Sequence, residues 1–205
     1  AVLYVNVGDY KNVWDELIRD IPQMRELATE HFDNWKDTKA FATKALSASQ
    51  INNSDVVTDN NRDDNSKNIT ADNSSEDTSD NITGIHGFYH KNIFEAVYCT
   101  NLLMRSADVL VTKPSELAFY PVPKLFIKRV GGHEQWGAVH SAEIGDGTLE
   151  CRDIPHTLQM IKLFMEDDTY IIDMCRNIKK NKQMGIYNGA YEAVKLAVNM
   201  KKSDI

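Results

Sequence analysis

Residues 47–83 constrain what this chain can fold into, because Asn, Asp, Ser and Thr dominate them and no aromatic residue occurs there. Such a segment buries too little apolar surface to offset the entropy lost on ordering. We therefore predict a disordered insertion over 47–83. The folded part would consist of residues 1–46, with the first strand and helices, and residues 84–205. Together these hold about 168 residues, the size of one domain.

Outside this segment, short apolar runs alternate with stretches of helical spacing. The predicted strands cover 2–7, 84–90, 108–112, 125–130 and a brief edge strand at 148–151. The predicted helices cover about 9–21, 23–46, 92–106, 116–120, 133–144, 155–166, 167–181 and 188–200. This alternation predicts a Rossmann-like α/β fold, a single parallel sheet with flanking helices. Ligands of such sheets bind at the carboxyl edge, where the turns after the strands meet.

The turn after the third predicted strand contains polar groups suited to an anion. Ser115 stands where it would cap the following helix, and Lys113 is close by in sequence. Helix-terminal amides together with Thr112, Lys113 and Ser115 would hold a phosphate, and Glu116 would accept hydrogen bonds from a ribose diol. The alternative is a well-capped helix without a ligand.

The turn after the fourth predicted strand begins with paired glycines. Gly131 and Gly132 let backbone amides approach a ligand closely, and His133, Glu134 and Gln135 start the next helix. We predict His133 and Glu134 as catalytic residues and the two glycines and Gln135 as donor-binding residues. The alternative is a solvated helix start. A zinc site is not expected, because the HExxH spacing is missing.

The remaining motifs are weaker. Gly8 follows the first strand and would approach a diphosphate, although a structural turn is the alternative because the other glycines of GxGxxG are missing. Residues 143–148 are predicted to end a helix, and residues 185–191 to pack the last one. His86 and His90 are predicted as loop histidines.

The net charge, the apolar runs and the cysteine content indicate which partners and which cellular location to expect. The net charge of −7 and the absence of a Lys/Arg-rich run argue against nucleic acid as a partner. No apolar stretch reaches the length of about 18 residues that a membrane-spanning helix needs. Three widely spaced cysteines indicate reduced thiols and a cytoplasmic location. Because a strand pattern starts directly after Ala1, we expect an upstream domain to be missing.

Residues 84–148 resemble the carboxyl-terminal, donor-binding domain of GT-B glycosyltransferases. The likeness is strongest to the MurG-type N-acetylglucosaminyltransferases and the diacylglycerol galactosyltransferases. The resemblance rests on the strand and turn at 106–115, on Glu116, on the Pro121–Leu125 stretch and on the loop at 131–138. It implies that Glu116 contacts the donor ribose and that Ser115, Gly132, His133 and Glu134 lie near the diphosphate or the donor sugar. The family's usual second strand is not recognisable; residues 23–83 stand in its place.

The predicted function is transfer of a hexosyl group from a nucleotide-diphosphate sugar, expected to be UDP-linked, to an unknown acceptor. No cofactor or metal is expected. Any peripheral membrane contact would come from the missing amino-terminal domain. Two alternatives stay open: a nucleotide-sugar epimerase of the same fold, and a non-catalytic binding or scaffold domain that uses the insertion to contact its partner.

Overall fold

The computed structural model describes residues 2–54 and 82–203, and it divides the chain into two compact units. The first unit extends to Ser106 and the second begins at Ala107. The unit boundary therefore lies within the stretch 84–205 that the sequence pattern treats as continuous.

Within its described residues, the first unit contains a three-stranded parallel sheet and four helices. The strands are β1 (Val2–Asn6), β2 (Ala28–Phe32) and β3 (Gly84–Phe88). The helices are α1 (Lys11–Asp20), α2 (Pro22–Leu27), α3 (Trp35–Ser54) and α4 (Ile93–Leu103). The strand order is β1-β3-β2, so β3 is central and β1 lies at an edge. Leu3 on this edge strand is 49% exposed.

The second unit contains a two-stranded parallel sheet and four helices. The strands are β4 (Leu110–Thr112) and β5 (Lys124–Phe126). The helices are α5 (Gln135–Ile144), α6 (Ile154–Glu166), α7 (Thr169–Gln183) and α8 (Gly189–Ser203). Short 3₁₀ turns occupy Glu116–Phe119, Gly132–Glu134 and Ile186–Asn188. The predicted mixture of helices and parallel strands is confirmed, but the described strands form two small sheets rather than one.

Two predicted elements are wrong. Residues 28–32 form β2, which pairs with β3, instead of part of a helix. The Phe32 ring stacks on Phe88 with centroids 5.1 Å apart and also contacts Phe41 at 4.8 Å, so tertiary packing overrides the helical spacing. The predicted edge strand at 148–151 is reduced to an isolated bridge between Lys124 and Gly147.

The helix α3 continues through Ser54, so the first eight residues of the predicted disordered segment are helical. Adding residues to an existing helix costs far less than starting one, and Ala45 anchors this helix in the core at 3% exposure. The Ser47 hydroxyl donates to the Thr43 carbonyl one turn earlier, at 3.0 Å. Residues 55–81 of the predicted insertion lie outside the described residues, and its last two residues are described, with Ile82 packed against the core of the first unit.

The two histidines predicted in loops lie inside the first unit. His86 is part of the central strand β3 and is 3% exposed, with Nε2 2.9 Å from the Thr83 carbonyl. His90 is fully buried, and its Nε2 is 2.9 Å from the Thr38 hydroxyl. Burial lowers the pKa of His90, with nearby acidic groups opposing the shift. Both rings therefore hold the interior of this unit.

A fully buried ion pair fixes the start of β5. Lys124 Nζ lies 2.8 Å from Asp146 Oδ2, and neither side chain is exposed. The ammonium also donates to two carbonyl groups of the turn before β5, at 2.8 and 2.9 Å. The hydroxyls of Ser141 and Tyr187 donate to Asp146 as well. These partners satisfy both charges, and they hold α5, the turn after it and β5 together.

Candidate functional site

The turns that follow β4 and β5 meet at one edge of the second unit. The two strands are parallel, and their last paired residues are Thr112 and Phe126, so both chains leave the sheet on the same side. Lys113 in the first turn forms an ion pair with Glu134 in the second. The structure therefore brings together the two turns that the sequence singles out, and we call this region the 113/134 edge.

Glu134 organises the second turn with its carboxylate. Its Oε2 accepts the N–H groups of Val130 at 2.8 Å and Gly131 at 3.1 Å, while Oε1 faces the Lys113 ammonium. The side chain is 8% exposed. The hydrogen bond from Lys113, followed by those from the two backbone amides, lowers the Glu134 pKa to about 2. A group this acidic stays ionised near neutral pH, and its contacts hold the second turn and the Lys113 ammonium in place; the catalytic role of Glu134 stays a prediction.

Replacing Glu134 by Gln is expected to lower stability in a pH-dependent way. Because the folded-state pKa lies below the ordinary value of 4.5, the carboxylate stabilises the fold above about pH 4.5. This contribution disappears as pH falls toward 2. Urea unfolding from pH 7 to pH 3 should show a difference between wild type and Glu134→Gln that is largest at pH 7 and shrinks on acidification. A difference that does not change with pH would contradict this assignment.

Of the two paired glycines, Gly131 packs against a neighbouring side chain and Gly132 does not. Neither residue has a positive φ. A Cβ at Gly131 would lie 2.7 Å from Cε1 of the His133 ring, which folds back over this glycine. A Cβ at Gly132 would meet no atom within 4 Å. Gly132 and His133 are exposed, so a ligand has direct access to the backbone here.

Gly137 lets α5 pack directly on the first turn. A Cβ at this position would lie 2.9 Å from the Pro114 carbonyl oxygen and 3.2 Å from the Ala118 Cβ. The helix also packs through Ala138, which clusters with Ala118 and Phe126. The close approach keeps the amino-terminal end of α5 beside the turn that carries Lys113. Gln135 begins this helix and is half-buried.

The first turn differs from its predicted form. Ser115 is followed by a four-residue 3₁₀ turn instead of an α-helix, and its side chain makes no capping hydrogen bond. Pro121 and Pro123 follow closely, and a proline disfavours helical backbone in the residue before it. The carbonyl of Thr112 is occupied by the Ile127 amide at 2.9 Å. Glu116 begins the 3₁₀ turn, and its side chain lies outside the described part of the structure.

Gly8 belongs to the first unit, whereas every other predicted site residue belongs to the second. It lies in the turn two residues after β1 with φ of +65°, which a glycine adopts without strain. Its N–H donates to Asn6 Oδ1 at 3.0 Å, and its carbonyl accepts the His90 amide at 2.9 Å. Both backbone groups of Gly8 are thus used within the turn.

Sequence reasoning missed a second ion pair beside the 113/134 edge. Arg129 donates through Nη1 to Glu150 Oε2 at 2.7 Å, and the other carboxylate oxygen accepts the Arg129 amide at 3.0 Å. The signal for it is the Lys128–Arg129 pair inside the predicted strand 125–130, where two adjacent basic residues interrupt the apolar run. Across residues 2–54 and 82–203, no cluster of three or more His, Cys, Asp or Glu side chains has a geometry that would hold a metal ion.

The described helices include none with the length and apolar character needed to cross a bilayer.

A family model described as Domain of unknown function (DUF6938) matches residues 1–64 and 48–198 of the chain. No curated protein and no solved structure matches the chain.

Proposed function

We propose that this chain, which belongs to the family described as Domain of unknown function (DUF6938), binds the diphosphate of a nucleotide sugar at the 113/134 edge as the donor-binding part of a glycosyltransferase. The observation that carries the proposal is the Lys113–Glu134 ion pair, because it joins the two turns at the carboxyl edge of neighbouring parallel strands. Open α/β folds bind nucleotides at such edges.

The groups at this edge suit a phosphate. The Lys113 side chain is 44% exposed, and its ammonium forms an ion pair with Glu134. The helical segment that starts with the 3₁₀ turn at Gly132–Glu134 and continues into α5 exposes Gly132 and His133 at its amino-terminal end. A lysine combined with exposed backbone amides at a helix start is a common way to hold phosphate oxygens.

The resemblance to GT-B donor-binding domains supports the roles that we propose for individual residues and for the class of donor. The resemblance implies that Glu116 contacts the ribose and that Ser115, Gly132, His133 and Glu134 lie near the diphosphate or donor sugar. We therefore place a Rossmann-like half of a GT-B enzyme in this chain, with a UDP-linked hexose as the donor.

In the proposed reaction, the bond between the anomeric carbon and the diphosphate oxygen breaks, and its electron pair stays on that oxygen. The acceptor hydroxyl loses its proton and bonds to the anomeric carbon. Lys113 and the amides near Gly132 would stabilise the charge that develops on the leaving diphosphate. The exposed His133 ring stands at this edge as a group for the donor sugar or its leaving oxygen. The acceptor site and the base would come from a further domain.

A ligand screen tests this function on the chain as it stands. UDP-, GDP- and TDP-sugars are each added to the protein and the melting temperature is recorded, because a ligand that binds only the folded state raises it. We expect at least one of these ligands to produce a saturable increase. If no nucleotide sugar changes the melting temperature, the proposed function is wrong.

Lys113 supplies the charge in this account, so we expect Lys113→Ala to weaken binding of the selected nucleotide sugar about tenfold. The matched control is Lys162→Ala, which removes a lysine from an exposed pair with Glu166 on α6. Calorimetric titration should show the loss only for Lys113→Ala. If the two variants bind the nucleotide sugar with equal affinity, Lys113 is not part of the binding site.

A further inference from the structure

The charges around the 113/134 edge balance one another. Lys113 is paired with Glu134, and Arg129 is paired with Glu150. The two turns and Glu150 contain three basic and three acidic side chains: Lys113, Lys128, Arg129, Glu116, Glu134 and Glu150. A site built only to attract negative charge would hold an excess of cations, so this composition favours ligands of limited charge.

Glu134 is an acidic group in direct contact with Lys113, the cation that we propose for the phosphate. It contacts the Lys113 ammonium directly and is 8% exposed, whereas Lys113 is 44% exposed. Two backbone amides hold it in place, at 2.8 and 3.1 Å. A phosphate that reaches Lys113 from solvent therefore meets an ionised carboxylate behind the ammonium. Limited exposure leaves this carboxylate less screened by water and salt than a surface group.

The donor and the product of the proposed reaction differ in charge at this point. In a nucleotide sugar both phosphates are esterified, so each carries one negative charge. After transfer, the terminal phosphate is a monoester with a charge of about −1.5 to −2 near pH 7. The product thus adds negative charge to the group that lies nearest Lys113 and Glu134.

We propose that Glu134 determines specificity by the charge of the ligand. Glu134 orients Lys113 for the esterified diphosphate of the donor. Its negative charge disfavours binding of the free nucleoside diphosphate, and this weaker binding helps the product leave. The inference rests on the proposed function. Glu134 acts through Lys113 and through the turn that it holds, so it is a positioning residue and not an acid or base.

The test compares two ligands with the full chain, UDP and UDP-N-acetylglucosamine, by calorimetric titration at pH 7.5. In wild type we expect the nucleotide sugar to bind more tightly. In Glu134→Gln we expect the affinity for UDP to rise relative to that for the sugar nucleotide by about fivefold, the size of a repulsion between unit charges in water-like surroundings. The control is Glu166→Gln, an exposed acidic residue on α6, which should leave the ratio unchanged.

A second measurement does not depend on any variant folding. UDP and its methyl ester, in which the terminal phosphate is blocked, are titrated into the wild-type chain. We expect the methyl ester to bind about fivefold more tightly, although it offers no sugar to contact. Equal affinities, or tighter binding of UDP, would overturn the charge inference while leaving nucleotide binding intact. Failure of all these ligands to bind would instead overturn the proposed function.

Discussion

Lys124→Met is expected to lower the free energy of unfolding by roughly 3–5 kcal/mol, the loss typical of breaking a buried ion pair on one side. The change leaves the buried Asp146 carboxyl without its lysine, with the hydroxyls of Ser141 and Tyr187 still donating to it. Lys124 itself is fully buried, and burial lowers its pKa while Asp146 raises it. Urea unfolding monitored by tryptophan fluorescence and circular dichroism measures the effect.

The control for this prediction is Lys162→Met. Lys162 forms an exposed pair with Glu166 at a distance of 3.6 Å, and such pairs contribute about 0.5 kcal/mol or less. We expect a large difference between the two lysine variants. If Lys124→Met costs less than about 1 kcal/mol, the buried network does not hold β5 in the way described.

Glu116→Ala is expected to weaken binding of the nucleotide sugar by about ten- to a hundredfold, because hydrogen bonds to a charged group contribute roughly 1.5–3 kcal/mol. The prediction combines the resemblance, which assigns this residue to the donor ribose, with its place at the start of the 3₁₀ turn after Ser115. Glu143→Ala is the matched control, since Glu143 is an exposed acidic residue on α5 in the same unit.

Calorimetric titration of both variants with the nucleotide selected in the screen decides the assignment. The ribose contact requires that Glu116→Ala alone loses affinity. If Glu116→Ala binds the nucleotide as tightly as wild type, Glu116 does not contact the ribose. A matching loss in the 2′-deoxynucleotide, measured with the wild-type chain, would strengthen the assignment because it removes the hydroxyl that Glu116 is expected to contact.

The parallel α/β character follows from local signals in the sequence. Residues 2–6, 84–88, 110–112 and 124–126 form strands where short apolar runs predict them, and the glycine at 145 ends α5 in the left-handed conformation. Each of these signals lies within a few neighbouring residues. Elements of this kind depend little on distant parts of the chain, so sequence patterns identify them well.

Features that depend on distant contacts could not be predicted in this way. The strand β2 contains Glu30 and His31 and lacks an apolar run; packing of Phe32 on Phe88 decides its conformation. Lys124 stands in an apolar strand, and Asp146 in a turn between two glycines, so neither local pattern indicates a buried ion pair. A pairing between separate segments becomes visible only when the fold places them together.

The same distinction applies to the candidate site: local sequence patterns predict its position, but not the role of each residue. Its position follows from two unusual turns after parallel strands, and the structure links those turns through Lys113 and Glu134. The role of Glu134 does not follow from its position in the sequence, because it depends on the Val130 and Gly131 amides and on Lys113 in another turn. The structure adds that Glu134 holds the second turn, and its catalytic role stays a prediction.

Backbone amide NMR during titration with UDP-N-acetylglucosamine tests the central claim most directly. If the nucleotide sugar binds at the 113/134 edge, we expect saturable chemical-shift changes of the amides at Lys113, Ser115, Gly132, His133 and Gln135. The amides of α7 in the same unit should not change. Shifts that avoid the turns after β4 and β5, or a spectrum that the nucleotide sugar does not alter, would contradict this claim.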